Sequence, residues 1–241
     1  MRYSNAYYLS KTEKTNVRGG YMDRVVFDFD GVIVRNRRMG EFITREAERF
    51  VEKKMTCYPS KSKEMNRVLY TTYGHTALGV AKALCEDPRQ VTREFNQFVY
   101  GDLKYRRLRN LVRYHDITRL LELKNTYAPC NEKAALLTNA PLAWCENVCS
   151  IIGVDLYTII DSEKCVTSDN LFLKPDCHNY QLIESLYDTE QLLKEKETLM
   201  FMDDSHVNFT PVLQNPLWSC VHIDSDSIES LGSHLRASNI S

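Results

Sequence analysis

The chain has 241 residues, 43% hydrophobic and 26% charged, ordinary values for a globular protein long enough to bury one large core with a smaller insertion. A formal net charge of -1 removes any global electrostatic case for a nucleic-acid polymer or an anionic membrane as partner. No apolar run approaches the roughly 20 residues that span a bilayer, and the first residues lack the apolar stretch of a secretory signal, so the expectation is a soluble, cytoplasmic protein.

The eight cysteines, Cys57, Cys85, Cys130, Cys145, Cys149, Cys165, Cys177 and Cys220, form no Cys-x-x-Cys pair and no zinc-finger spacing. Reduced thiols are expected. Cys145 and Cys149 stand one helical turn apart, which offers half a metal site, but two thiols on a core-facing helix are the more economical reading.

Residues 1–21 are polar and show neither helical nor strand period, and are read as an N-terminal extension. The run Arg24-Val-Val-Phe-Asp28-Phe-Asp30-Gly31 is then a short buried strand that ends in two carboxylates. Period-2 alternation puts Asp28 and Asp30 on one side of an extended backbone, beyond the carboxyl edge of any sheet that holds Val25 to Phe27. Two crowded carboxylates repel unless a cation sits between them or one keeps a proton.

Arg35, Arg37 and Arg38 follow, and then Ile43, Ala47, Phe50, Val51 and Met55 mark one stripe of an amphipathic helix. Lys61-Ser-Lys63 is expected to break the pattern, which resumes over Met65 to Leu84 with a bend or split at Gly74 or Gly79. Val91 to Tyr100 and Ile117 to Leu123 add two shorter helices. Between them Lys104, Arg106, Arg107, Arg109, Arg113 and His115 form the most basic stretch of the chain.

Strand patterns return with Ala134-Ala-Leu-Leu-Thr138-Asn139, followed by a helix from Pro141 to Ile152 that Gly153 ends. Tyr157 to Asp161 is expected to be a strand, Asp176 to Tyr187 a helix, Thr198 to Asp204 a strand ending in two carboxylates, and Trp218 to Ile223 a last strand. Alternation of this kind implies an α/β fold, a Rossmann-like and mostly parallel sheet covered on both faces. The core would comprise 22–38 and 128–241, with an all-helical cap, 39–127, inserted just after the acidic strand and overhanging its carboxyl end.

Four strand ends or adjacent loops carry polar groups in the order Asp28 and Asp30, Thr138-Asn139, Lys174-Pro175, Asp203-Asp204. Parallel strands would bring them to one edge, and each suits a part in phosphoryl transfer. Asp28 is the candidate nucleophile and Asp30 the acid and base. Asp28, Asp30, Asp203 and Asp204 would hold a Mg²⁺ ion, whose preference is for carboxylate, substrate and water oxygens. Thr138, Asn139, Gly31 and Arg35 would contact the phosphorylated substrate, and Lys174 would offset charge on nucleophile and phosphate.

In order and type these four segments resemble the motifs of the haloacid dehalogenase superfamily of phosphotransferases. Tyr70-Thr-Thr-Tyr73-Gly74, Phe95 to Gly101, Leu137 to Ala140, Lys174-Pro175 with Tyr180, and Phe201 to Ser205 with Asn208 are similar to its pyrimidine 5′-nucleotidase-like group with a helical cap. The resemblance implies a Rossmann-like core, Mg²⁺, an aspartyl-phosphate intermediate and a small phosphorylated metabolite as substrate, a nucleoside 5′-monophosphate first. The presence of Asp30 disfavours dehalogenation, because the dehalogenase branch lacks the second aspartate. The alternatives are a phosphosugar or phosphoprotein phosphatase, or a weakly catalytic module that binds a phosphorylated ligand or a protein. His178 and His206 follow the lysine and the acidic pair; either could reach substrate or the residues around it, but a surface histidine is the expected reading.

Overall fold

The computed structural model describes residues 24–101, 108–111, 120–125 and 134–223. The N-terminal extension and all of the basic stretch except Arg109 lie outside them.

Among the described residues five short strands form one parallel sheet: β1 (Arg24–Phe27), β2 (Ala134–Leu137), β3 (Ile160–Val166), β4 (Leu199–Asp203) and β5 (Trp218–His222), in the order β3-β2-β1-β4-β5. The fold is therefore α/β and Rossmann-like. Alternation along the strands splits the core in two. Val25, Phe27, Ala134, Leu136 and Met202 face one cluster, which includes Trp144, Cys145, Val148 and Cys149 of helix α5 (Leu142–Ile152). Val26, Ala135, Leu137, Leu199 and Phe201 face another, with Tyr180 and Ile183 of α6 (Cys177–Ser185) and Leu192 of α7 (Thr189–Glu195). Both faces of the sheet are thus buried, as a parallel sheet requires.

Between β1 and β2 runs a helical block: α1 (Arg37–Met55), α2 (Pro59–Tyr73), α3 (Thr76–Leu84) and α4 (Pro88–Tyr100). Each start carries a local reason. The Asn36 side chain caps α1 by accepting from the Arg38 and Met39 amides, and Pro59 and Pro88 open α2 and α4 where no intrahelical donor is needed. Phe50, Val51, Leu69, Val80, Val91, Phe95 and Val99 give the block its own apolar cluster. Its edges are shared with the sheet: Met39 and Phe42, from the first turns of α1, pack in the β1 cluster, as do Leu120 and Leu123.

Three expectations change here. Lys61 to Lys63 lie inside α2, since the break falls earlier, where Thr56 takes a left-handed conformation and closes α1. The Met65–Leu84 helix splits at Gly74 (φ +77) but not at Gly79, whose missing side chain instead admits Leu69 of the crossing helix. The strand expected over Tyr157–Asp161 begins at Ile160, after a 3₁₀ turn at Leu156–Thr158, and continues to Val166 through the polar run Asp161-Ser-Glu-Lys164. As an edge strand, β3 needs no continuous apolar run. The helix α7 was not expected at all.

Seven cysteines among the described residues are unbridged, and Cys145 and Cys149 are both buried in the core cluster. No helix among the described residues is long and apolar enough to cross a membrane.

Candidate active site

The chain reverses direction across the sheet between β1 and β4, because β2 and β3 extend it on one side and β4 and β5 on the other. Ligand crevices of open α/β sheets form at such a point, beyond the carboxyl ends of the strands. Asp28 follows β1 and Asp203 ends β4.

The loop between β3 and α6 carries Lys174 into this crevice, its side chain 1% exposed, with Nζ 2.9 Å from Asp28 Oδ1 and 2.6 Å from Asp203 Oδ2. Burial alone would depress the ammonium, but Asp203 and Asp28 outweigh it and hold the proton on. Burial lifts the Asp28 carboxyl from 3.8 to about 8; Lys174 pulls it down, while Asp203 and Asp204 push it up. Asp204, more exposed, is raised in the same direction by burial and by Asp203.

The two carboxylates of the β4 end have different partners. Asp203 is fully occupied: Oδ1 accepts from the Ser205 amide and Asn208 Nδ2, and Oδ2 from Lys174 Nζ and Asn208 Nδ2. Asp204 presses on the turn after β1, where Gly31 stands at φ +88, and a Cβ at that position would lie 2.1 Å from Asp204 Oδ2. The glycine therefore serves both the left-handed backbone and the approach of the second acid. One oxygen from each of Asp28, Asp203 and Asp204 lies within 4.8 Å of the others.

Those three acids face one ammonium. A hard divalent cation fits this oxygen-only, charge-excess group, and Asp28, Asp203 and Asp204 would be its side-chain ligands, with Asn208 and Lys174 orienting Asp203. Asp30 does not join the group. Its Oδ1 accepts instead from the indole Nε1 of Trp144 at 3.3 Å. Burial raises it to about 7, with the Trp144 hydrogen bond opposing and Asp204 adding to the rise. The two aspartates of the opening motif therefore part company one residue past the strand, where the backbone leaves the extended form and period-2 alternation ends.

Thr138 is buried at the end of β2, its hydroxyl accepting from the Ala140 amide. Asn139 is spent on the protein: Nδ2 donates to the Lys174 carbonyl at 3.1 Å, and Oδ1 accepts from the Lys174 amide at 2.6 Å. Its side chain clamps the lysine loop. Arg35 lies half-buried just past the β1 turn, Arg37 pairs with Glu41 on the exposed face of α1, and Arg38 is exposed. His178 pairs with Asp176 and stacks on Phe172 at the surface. His206 stacks on His222, whose Nε2 is 3.1 Å from the Asp204 carbonyl.

The helical block reaches the same crevice. Gly74, between α2 and α3, sits so close to the loop that a Cβ there would lie 2.4 Å from Pro175 Cδ. Tyr70 is 45% exposed as a residue, but its phenol is turned inward to Ser205, and the covering of that end, with Asp204 and Asp28, raises it. Buried His75 caps α3 through Nδ1, and burial, then the charge of Lys174, pushes its imidazolium down to about 4. Tyr100, ending α4, packs edge-on against Trp144.

The roles of Trp144, Asn208, Tyr70, His75 and Tyr100 escaped the residue-by-residue reading. Tyr70 and Tyr100 fall within stretches that resemble the family, and Asn208, a buried-type amide five residues past the strand end at Asp203, is within hydrogen-bond reach of that carboxylate.

No protein-family model matches the sequence, and no curated protein matches it. Solved structures do. Two are of L-2-haloacid dehalogenase from Xanthobacter autotrophicus, one at 19% identity and TM-score 0.44 over 84% of this chain and 77% of that one, and one with chloropropionic acid covalently bound at 18%, 0.46, 92% and 85%. The third is a predicted hydrolase of the haloacid dehalogenase-like family from Porphyromonas gingivalis, at 15% identity and TM-score 0.47 over 90% of this chain and 99% of that one.

Proposed function

We propose that this chain is a Mg²⁺-dependent phosphatase of the haloacid dehalogenase type, hydrolysing a small phosphorylated metabolite through an aspartyl-phosphate on Asp28. The observation that carries this reading is the separation of two carboxylates: Asp28 is tied to Lys174 within the acidic group, while Asp30, two residues on, is held apart by Trp144. Their different partners support a nucleophile's role for Asp28 and an acid and base's for Asp30.

In the first step an Asp28 oxygen attacks phosphorus as the bond to the leaving oxygen breaks, and Asp30 gives that oxygen its proton. In the second, Asp30 takes a proton from water, whose oxygen attacks phosphorus and releases Asp28 and phosphate. Lys174 keeps the nucleophile oriented and offsets charge, with Asn139 fixing its backbone and Asp203 its ammonium. The Thr138 hydroxyl and the amides that follow it are the donors nearest to hand for phosphoryl oxygens. A bound Mg²⁺ would neutralise charge between carboxylates and phosphate.

The helical block, 39–127, acts in this reading as a lid. Tyr70, Gly74 and His75 lying over Lys174-Pro175 support a small substrate rather than a folded phosphoprotein. The resemblance of the Tyr70–Gly74 and Phe95–Gly101 stretches to pyrimidine 5′-nucleotidase-like proteins makes nucleoside 5′-monophosphates the first substrates to try. A panel of nucleotides, phosphosugars and a phosphopeptide, each assayed with Mg²⁺ and with chelator, tests the reading. Metal-dependent release of phosphate, selective for small esters, is expected; metal-independent or absent release defeats it.

A further inference from the structure

Trp144 has no part in the steps above, yet it is built into the site. It is the third residue of α5, 2% exposed, and its Nε1–H is the donor that Asp30 Oδ1 faces, 3.3 Å away. Its ring is braced from the helical block by Tyr100, centroids 4.9 Å apart and planes at 65°. Asp30 is not one of the three acids whose oxygens gather about Lys174, and its bond to the indole is the contact that fixes where its carboxyl lies. An indole can only donate, so it satisfies one carboxyl oxygen and leaves the second for substrate.

We propose that Trp144 is the positioning residue of Asp30, holding its carboxyl clear of the Lys174 group so that it can protonate the leaving oxygen. This rests on the acid role proposed for Asp30. The balance is unchanged from the first step above: the proton passes from Asp30 to the leaving oxygen as the P–O bond breaks, and Trp144 neither gains nor loses one.

The test compares the full-length wild type with Trp144→Phe, which keeps an aromatic ring against Tyr100 but removes the donor. Two esters are used with Mg²⁺: p-nitrophenyl phosphate, whose leaving group needs little proton assistance, and 2-phenylethyl phosphate, whose alkoxide needs a proton. kcat/KM for the alkyl ester is expected to fall by roughly tenfold or more, with that for the aryl ester within about threefold. A merely structural role would lower both alike, and an equal fall, or no fall in either, overturns the assignment. A wild type inactive on both esters overturns the phosphatase reading and this assignment with it. Should Trp144→Phe fail to fold, the indole ¹⁵N–¹H resonances decide, comparing wild type with Asp30→Asn. The Trp218 indole, which donates to Glu184, is the internal reference. A shifted Trp144 signal beside an unmoved Trp218 signal supports the assignment, and an unmoved Trp144 signal overturns it.

Discussion

Lys174 Nζ lies 2.6 Å from Asp203 Oδ2 in a place where both side chains are shut off from water, 1% and 0% exposed. The pair joins the loop before α6 to the end of β4, and through Asp28 it also holds the end of β1. Removing the cation leaves two buried carboxylates without a counter-charge, a costlier state than never having had the pair. Lys174→Met is therefore expected to lose about 3 kcal/mol of stability in a urea titration. Its phosphatase turnover should fall by at least about a hundredfold.

Gly31→Ala puts a methyl group where Asp204 Oδ2 now sits, at a φ of +88. A stability loss of about 1–2 kcal/mol is expected, with roughly tenfold more Mg²⁺ needed for half-maximal rate, because Asp204 has to move away. Gly40→Ala is the control. It lies in α1 with nothing within 4 Å of its added Cβ, and should leave the metal dependence untouched.

Asn139→Ala separates a clamp from a substrate contact. Loss of both hydrogen bonds to the Lys174 backbone should cost about 1–3 kcal/mol in stability and lower kcat, with KM for a phosphate ester held within about twofold. A rise in KM at constant kcat would instead favour the substrate-binding role read from the sequence.

His75 makes stability depend on pH. Burial, and then Lys174, lowers its folded-state value from 6.5 to about 4, so between these values the unfolded chain binds the extra proton. Stability contributed by keeping His75 neutral is present in full above about pH 6.5 and is lost as pH falls towards 4, up to roughly 3 kcal/mol. Asn at this position retains a capping oxygen for the Ala77 amide without titrating. Urea titrations at several pH values should show the gap between wild type and His75→Asn shifting in favour of His75→Asn as the solution is acidified through that window.

What could be read from the chain beforehand was set by burial and period. Val25 to Phe27, Ala134 to Leu137 and Leu199 to Met202 are central strands buried on both faces, so they stand out as apolar runs, and the polar residues at their ends located Asp28, Thr138 and Asp203. The same criterion misplaced β3, because an edge strand tolerates Asp161, Glu163 and Lys164. Within the site, alternation grouped Asp28 with Asp30, but the chain turns at Gly31 and the two acids take different partners. Strand-end position alone did not distinguish Asp203, held by Asn208 and Lys174, from Asp204, which faces Asp28. Trp144 carries no signal at all in one sequence, since an aromatic on a helix is ordinary core until its one polar atom is seen to have a partner.

The central claim is that Asp28 carries the phosphoryl group. Asp30→Asn should slow release of that group more than its capture from a good leaving group, so the covalent form accumulates. The most direct measurement is therefore the mass of the Asp30→Asn protein, acid-quenched during turnover of p-nitrophenyl phosphate with Mg²⁺ and then digested. A peptide containing Asp28 heavier by one phosphoryl group, and no such peptide from Asp28→Asn, is the expected result. Phosphate carried on any other residue, or Mg²⁺-dependent turnover retained by Asp28→Asn, would contradict it.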